Sequence, residues 1–388
     1  MTLCAANTPG LGKNGHPPDL QTLKIGDAAP DFALPGTDGR TYRLADFAKS
    51  DVLMVLFTSN HCPTSHGIEE RLKKLRADLR GRSFALVAIN PNHPEGLTIN
   101  ELGYGEFTDS FEDMKPYAAQ QGWDFPYLYD GETQRMARAY GCLATPHVFI
   151  FDRSRRLQYA GRFDDSRYPQ ESTVKSSDAR NAIDALLAGQ PVPTPMTKPF
   201  GCSTKWREKR AKNIVTEASW KNLPVTVDLI DAAGVAALKN NATGKLRLFN
   251  VWATWCAPCV EEFPSLVSLF RQFGGREFEL ITISMDEPKQ ASKAQAFLQK
   301  QGAGLSEKKL ESVINEGRKT NHYVYSGSDQ DALVAALDPA WPGPLPHTVL
   351  VAPNGKVLWR HNGVIDPADA RAAIVAALGP YYTPPPAN

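Results

Sequence analysis

Residues 246–264, LRLFNVWATWCAPCVEEFP, constrain this chain more than any other stretch. An apolar, β-prone run (Leu246, Leu248, Phe249, Val251, Trp252) feeds directly into Cys256-Ala257-Pro258-Cys259. Beyond it, Phe263, Leu266, Val267 and Phe270 fall at i, i+3, i+4 and i+7, the spacing of an amphipathic helix. A buried strand that ends in C-x-x-C at a helix start suits dithiol redox chemistry. The first helical turn leaves N–H groups unpaired and carries partial positive charge, and both stabilise a thiolate on Cys256. Lowering a thiol pKa from about 8.5 to about 7 raises its thiolate fraction at neutral pH from a few per cent to about half. Cys259, three residues on, is within reach of a mixed disulfide formed at Cys256.

The chain has 388 residues, too many for one ordinary core, so two or three domains are expected. Its net charge of +1 argues against a nucleic-acid or membrane-surface partner. Apolar runs such as VLMVLF are far too short for a membrane span. Six scattered cysteines (Cys4, Cys62, Cys142, Cys202, Cys256, Cys259) do not make a disulfide scaffold. Residues 1–21 read as a flexible N-terminus without a visible leader pattern. Cys4 reads either as the remnant of a lipid anchor or as an incidental thiol.

Two halves repeat one pattern. In the first, IGDAAPDFALPGTDGRTYRLADF reads as an opening hairpin turning at Asp38-Gly39, and VLMVLF (52–57) as a buried strand. Residues 64–80 read as a helix with Ile68, Leu72, Leu75 and Leu79 inward, and SFALVAIN as the next strand. Two helices, a hairpin over 147–163 and a helix over 177–188 follow. The second half runs the same way: strand, Cys256 turn, helix, strand FELITISM, helix, X-Pro-His, hairpin at Asn354-Gly355, closing helix. The spacing from Cys62 to Cys256 nearly equals that from Pro146 to Pro346. A repeat this long implies tandem globular domains. The expected division is 22–202 and 222–379, with 380–388 as a tail. The basic run STKWREKRAKN falls in 203–221, read as a solvated linker or a docking patch for an acidic partner.

These motifs resemble the thioredoxin superfamily, twice. The second half is similar to TlpA/ResA-type domains through WATWCAPC, Glu262-Phe263-Pro264 and Leu345-Pro346-His347-Thr348. The first half resembles redoxin domains of the AhpC/TSA group through GDAAPDFALPGTDGRTYRLADF, FTSNHCP, YGCLATPHVFIFD, YAGRFDDSR and GCSTKW. The resemblance implies an α/β chain with two thioredoxin-like folds in tandem, each a central mixed sheet flanked by helices.

In the second half, Cys256 is the expected attacking thiol and Cys259 the resolving one. A half zinc site would need a second Cys/His pair, and no other C-x-x-C exists. Glu262 lies one helical turn past Cys259, placed to take its proton if partly buried; the resemblance implies the same role. The alternative is an exposed carboxylate at a helix start. Thioredoxins carry a buried Asp six residues before the first Cys, and here that position is Asn250. Pro346, if cis, exposes backbone beside the sulfurs for a substrate chain. Trp255 is expected to shield the sulfur and form contact surface.

In the first half the signal weakens. Cys62-Pro63-Thr64-Ser65 has serine at the resolving position, and Ile68 stands where Glu262 stands in the other half. The peroxiredoxin signature P-x-x-x-T-x-x-C is absent, Val55 and Ser59 replacing its Pro and Thr. Three readings stay open for Cys62: a redox thiol resolved by Cys142 or Cys202, a degenerate scaffold that docks clients, or a metal ligand with His66 at i+4 and His61 adjacent. Cys142 and Cys202 are alternatively a structural disulfide pair. His93, His322 and His361 read as surface or loop histidines.

The expected activity is thiol–disulfide exchange through Cys256/Cys259 with protein substrates and a thiol electron donor. It calls for no cofactor, metal, nucleic acid or membrane span. A thiol peroxidase at Cys62 reduced by the second domain, and a client- or copper-binding first domain, are the alternatives. An extracytoplasmic setting rests on the resemblance, since domains like the second act on disulfides formed there.

Overall fold

The computed structural model describes residues 10–384, so Cys4 lies outside the described residues. The chain divides into two compact units. The first takes the chain up to Leu97, Phe107–Asn213 and the tail from Pro380; the second takes Thr98–Glu106 and Ile214–Gly379.

The first unit opens with β1 (Ala33–Pro35) and β2 (Thr41–Arg43), an antiparallel hairpin about Gly39. Then come β3 (Val52–Phe57), α1 (Pro63–Asp78), β4 (Phe84–Asn90), α2 (Phe111–Gln121), β5 (Tyr127–Tyr129) and α3 (Arg135–Tyr140). A two-residue β6 (Ala144–Thr145), β7 (His147–Phe151), β8 (Leu157–Gly161), α4 (Asp178–Leu187) and β9 (Cys202–Ser203) complete it. The main sheet has the order β5-β4-β3-β7-β8. β4 and β5 run parallel to β3, whereas β7 and β8 are antiparallel to their neighbours.

α5 (Arg210–Trp220) contains the division between the units. The second unit has β10 (Asp228–Ile230), α6 (Ala232–Asn240), β11 (Leu246–Trp252), α7 (Ala257–Gln272), β12 (Phe278–Ser284) and α8 (Ala291–Gln301). After these come α9 (Glu307–Asn315), β13 (His322–Tyr325), α10 (Gln330–Leu337), β14 (His347–Val351), β15 (Val357–Asn362) and α11 (Pro367–Leu378). Its sheet order is β10-β13-β12-β11-β14-β15, again parallel on one side of the cysteine-bearing strand and antiparallel on the other. Each unit is thus the mixed, helix-flanked α/β arrangement that the resemblance implies.

β3 and β11 are buried along their whole length, with alternate residues feeding separate cores. Val52, Met54 and Leu56 pack with Ile68 and Leu72, while Leu53, Val55 and Phe57 pack on the opposite face. In the second unit Leu246 and Leu248 join Phe263 and Leu266, while Phe249 and Val251 join Val235 and Leu333. Strands covered on both faces read as continuous apolar runs, and this is why both were legible. Each cysteine turn leaves the carboxyl end of the strand at which neighbour direction switches, the usual place for a site in an open α/β sheet.

The structure differs from the expected domain limits in two places. The run 203–213 groups with the first unit and begins as strand: Lys205 and Trp206 are buried, and Cys202–Ser203 is β9. Residues 98–106 group with the second unit, where Ile99 N–H donates to Glu217 (3.0 Å) and the Gln272 amide to the Leu102 carbonyl (3.0 Å).

Candidate dithiol sites

In the second unit, β11 delivers the chain to the turn Ala253-Thr254-Trp255. Thr254 is pinned there through its N–H and hydroxyl to the Asp286 carboxylate (3.0 and 2.6 Å), and Ser284 donates to the same carboxylate (2.6 Å). Cys256 is the N-cap of α7, with proline in the first turn, where its missing N–H costs no hydrogen bond. Cys256 and Cys259 are disulfide-bonded, with Cα atoms 5.3 Å apart, and the Cys259 N–H points at the Cys256 sulfur (3.4 Å). Cys256 keeps 6% of its surface and Cys259 none, so an attacking thiol meets the outer sulfur first. Trp255 is 64% exposed beside them.

Glu262 is buried one turn beyond Cys259. Its two oxygens accept from the Asn250 amide (2.8 Å) and the Ile365 N–H (3.0 Å). Burial pushes its carboxyl up to about 7, although both hydrogen bonds pull the other way. The exposed-carboxylate alternative is therefore wrong. The Leu345–Pro346 bond is cis. Val251 pairs with His347, so the register carries Pro346 to the end of β11, from which the cysteine turn leaves.

The first unit repeats this frame with other side chains. Cys62 is the N-cap of α1, again followed by proline, and the Thr145–Pro146 bond is cis. Phe57 pairs with His147, which sets Pro146 beside the end of β3. The Cys62 sulfur is buried, 2.9 Å from the Thr145 carbonyl oxygen. Thr145 in turn pairs with Cys202 across the β6–β9 ladder. Both thiols thus gather about Thr145, close enough for each to shift the other's ionisation. Burial opposes ionisation of Cys62, but the Cys202 thiol and the charge of His61 reverse the balance and hold its pKa well below the ordinary value. The thiol of Cys202 is raised correspondingly, first by its interaction with Cys62 and then by burial.

Cys142 stays apart. It is buried, its sulfur 3.4 Å from the Ala144 carbonyl, and burial pushes its thiol up to about 12. Cys62, Cys142 and Cys202 are all free, so the structure contains no Cys142–Cys202 disulfide. His66 directs Nε2 to the Asn60 carbonyl (2.6 Å). No group of three or more His, Cys, Asp or Glu side chains suited to a metal occurs among the described residues.

Asp109, which the sequence does not flag, and His61, which it marks only beside a possible metal site, complete the first site. Asp109 accepts from His61 Nδ1 (2.5 Å), from the Asn60 N–H (2.8 Å) and from the Asn92 amide (2.7 Å), all buried. Burial lowers the His61 pKa, but Asp109 more than offsets this and raises it overall. Of the histidines read as surface or loop residues, one departs from that reading and another keeps to its loop but is buried. His322 is no surface residue: it lies buried on β13, with Nδ1 against the Thr282 hydroxyl (2.9 Å) and Nε2 against the Ala303 carbonyl (2.9 Å). His93 is buried too and caps a short turn through the Glu95 N–H (3.1 Å).

The AhpC/TSA family model matches this chain twice, at residues 25–160 and 226–360. Thiol-disulfide oxidoreductase ResA of Bacillus subtilis is 28% identical over 130 residues, covering 34% of this chain and 60% of that protein. Thiol:disulfide interchange protein HelX of Rhodobacter capsulatus is 30% identical over 124 residues, covering 32% and 49%. The matches thus span less than two thirds of these relatives' own length. Among solved structures, a hypothetical protein from Sinorhizobium meliloti 1021 is 38% identical, covering 48% of this chain and 96% of that one, with a TM-score of 0.43. An uncharacterized conserved protein from Geobacillus kaustophilus is 42% identical, covering 47% and 92%, with a TM-score of 0.42.

Proposed function

The chain belongs to the AhpC/TSA family, and on that premise we propose that it is a thiol–disulfide oxidoreductase acting on protein disulfides through Cys256 and Cys259. The observation that carries the reading is the buried Glu262 carboxyl, held near pKa 7 one turn from Cys259. A group with that pKa both accepts and returns a proton at neutral pH, as reversible exchange requires.

The reduced site works in two steps. The Cys256 thiolate attacks one sulfur of the client disulfide, forming a mixed disulfide and releasing the first client thiolate. Glu262 then takes the Cys259 proton, and the Cys259 thiolate attacks the Cys256 sulfur. The Cys256–Cys259 disulfide forms, the second client thiolate leaves, and two electrons have passed to the client. A thiol donor runs the sequence backwards to reset the site. Trp255 and the backbone before cis-Pro346 offer a client chain an apolar contact and an edge to pair with.

Clients with disulfides occur in oxidising compartments, so the proposed setting is extracytoplasmic. No helix among the described residues is long and apolar enough to cross a membrane. The test is reduction of insulin disulfides with dithiothreitol as donor. Cys256→Ser is expected to abolish it, and Cys259→Ser to accumulate mixed disulfides on Cys256. Undiminished turnover in Cys256→Ser would sink the proposal.

A further inference from the structure

We infer that Cys62 and Cys202 form a second redox-active dithiol, in which a strand of the chain itself occupies the client edge, and that this site exchanges with low-molecular-weight disulfides. In the second unit, no strand among the described residues pairs with Leu345, the residue before the cis-proline. In the first unit the equivalent residue, Thr145, is already paired, and its partner is a cysteine. Cys202 therefore sits where a client cysteine would sit if an extended chain added itself to this edge. Gly201 makes the approach possible: a Cβ there would fall 2.0 Å from the Thr145 carbonyl oxygen.

The nucleophile is prepared as well. Cys62 is the N-cap of α1, whose first turn leaves N–H groups unpaired and carries partial positive charge beside the sulfur. His61, adjacent and buried, is anchored by Asp109 through Nδ1 and has no hydrogen-bond partner at Nε2. An imidazolium so held supplies positive charge to a thiolate where solvent cannot. Ser59, at one lost position of the peroxidase signature, spends its hydroxyl on Thr145 (3.0 Å).

Burial selects the reagent. Cys62 has no exposed surface. The Tyr382 ring lies near Thr64 of the same turn, packed on Tyr168 (ring centroids 6.4 Å) and Arg167 (5.4 Å). A small disulfide needs far less of this cover displaced than a folded client, which β9 also obstructs.

The chemistry balances without a further co-reactant. The Cys62 thiolate attacks a small disulfide, a mixed disulfide forms, and one small thiolate leaves. Cys202 gives up its proton and attacks the Cys62 sulfur; the Cys62–Cys202 disulfide forms and the second small thiolate leaves with that proton. The disulfide is reduced by two electrons, and excess small thiol reverses the exchange.

The test uses the full chain carrying Cys256→Ser and Cys259→Ser, so it stands or falls apart from the activity proposed for the second unit. The reduced protein is treated with glutathione disulfide, free thiols are blocked with iodoacetamide, and peptides are mapped by mass. The expected product links Cys62 to Cys202, with two glutathione thiols released per chain. Adding Cys202→Ser is expected to leave one glutathione on Cys62. If that variant misfolds, the linkage in the parent chain still decides. Alkylation of both Cys62 and Cys202 after treatment, or linkage of either to Cys142, overturns the inference. So does resistance to glutathione disulfide when hydrogen peroxide converts Cys62 to a sulfenic acid.

Discussion

Asn250 donates a hydrogen bond of 2.8 Å to the Glu262 carboxylate, from the centre of β11 to the first turns of α7. Its second amide hydrogen goes to the Thr348 hydroxyl (3.0 Å). A neutral amide orients the carboxylate without bringing a charge that would ionise it. An Asp here would add a second buried negative charge, and a Lys would pin Glu262 as an anion. The amide leaves Glu262 titrating near neutrality.

Glu262→Gln removes the proton acceptor and keeps the shape. Above about pH 7 the native carboxylate is ionised and takes the Cys259 proton; below it the acceptor is lost. Turnover of the native protein should therefore fall as pH drops through 7. The variant should lack that limb and turn over slower by roughly 10²-fold at pH 7.5. Mixed disulfides on Cys256 should persist longer, measurable by acid quench and mass analysis.

The same group makes stability depend on pH. Its folded pKa of about 7 lies above the ordinary 4.5, so between those values the native state holds a proton that the unfolded state has released. Stability contributed by this group then falls as pH rises through that window, by about 3 kcal/mol in total. Urea midpoints of the native chain should drop between pH 5 and pH 8, and Glu262→Gln should flatten the difference.

Trp255 is 64% exposed and should matter for binding and not for folding. Trp255→Ala is expected to shift the urea midpoint by no more than ~0.5 kcal/mol. It should raise KM for a protein disulfide several-fold while leaving exchange with a small disulfide nearly unchanged. A fall in stability with no change in KM would show that the ring serves the fold.

What was legible in the sequence was local or repeated. Strand, C-x-x-C and helix are continuous in Leu246–Gln272, and apolar runs covered on both faces announce themselves without distant partners. The repeat then placed both prolines. What stayed hidden depended on long-range pairing. Asp109 meets His61 from a loop far along the chain, and β9 brings Cys202 to Thr145 through a segment whose basic residues read as a solvated linker. Trp206 is fully buried in that segment, and the hints were GCSTKW, which matches the first half's pattern, and one aromatic among five lysines and arginines. His322 misled for a related reason: a lone polar residue carries no sign of the two buried partners that satisfy it.

Cys142 should behave as an inert thiol. Burial pushes its pKa up to about 12, so almost none is ionised at pH 8. In the reduced native chain iodoacetamide should leave Cys142 unmodified and should label it at once in urea. Because Cys142 and Cys202 are not joined, labelling of Cys142 after unfolding should not require a reductant. A need for one would show a Cys142 disulfide.

The buried charge cluster at the far end of the second sheet sets a last expectation. Glu279 is buried and accepts from Lys245 (3.1 Å), Arg247 (2.9 Å) and Arg318 (2.9 Å). Charged residues on flanking strand positions look like surface in a sequence, yet here they stabilise one another out of water. Removing one member strands the rest: Glu279→Ala leaves three cations with only Glu316 to share, and should cost about 3–5 kcal/mol. The exposed helix pair Lys115–Glu112 is the control, and Glu112→Ala should change stability by no more than ~0.5 kcal/mol. Urea unfolding at pH 7 separates the two. Equal effects would mean that the cluster is solvated in solution, and Glu279→Gln, which keeps the acceptor oxygen, should recover part of the loss only if it is dry.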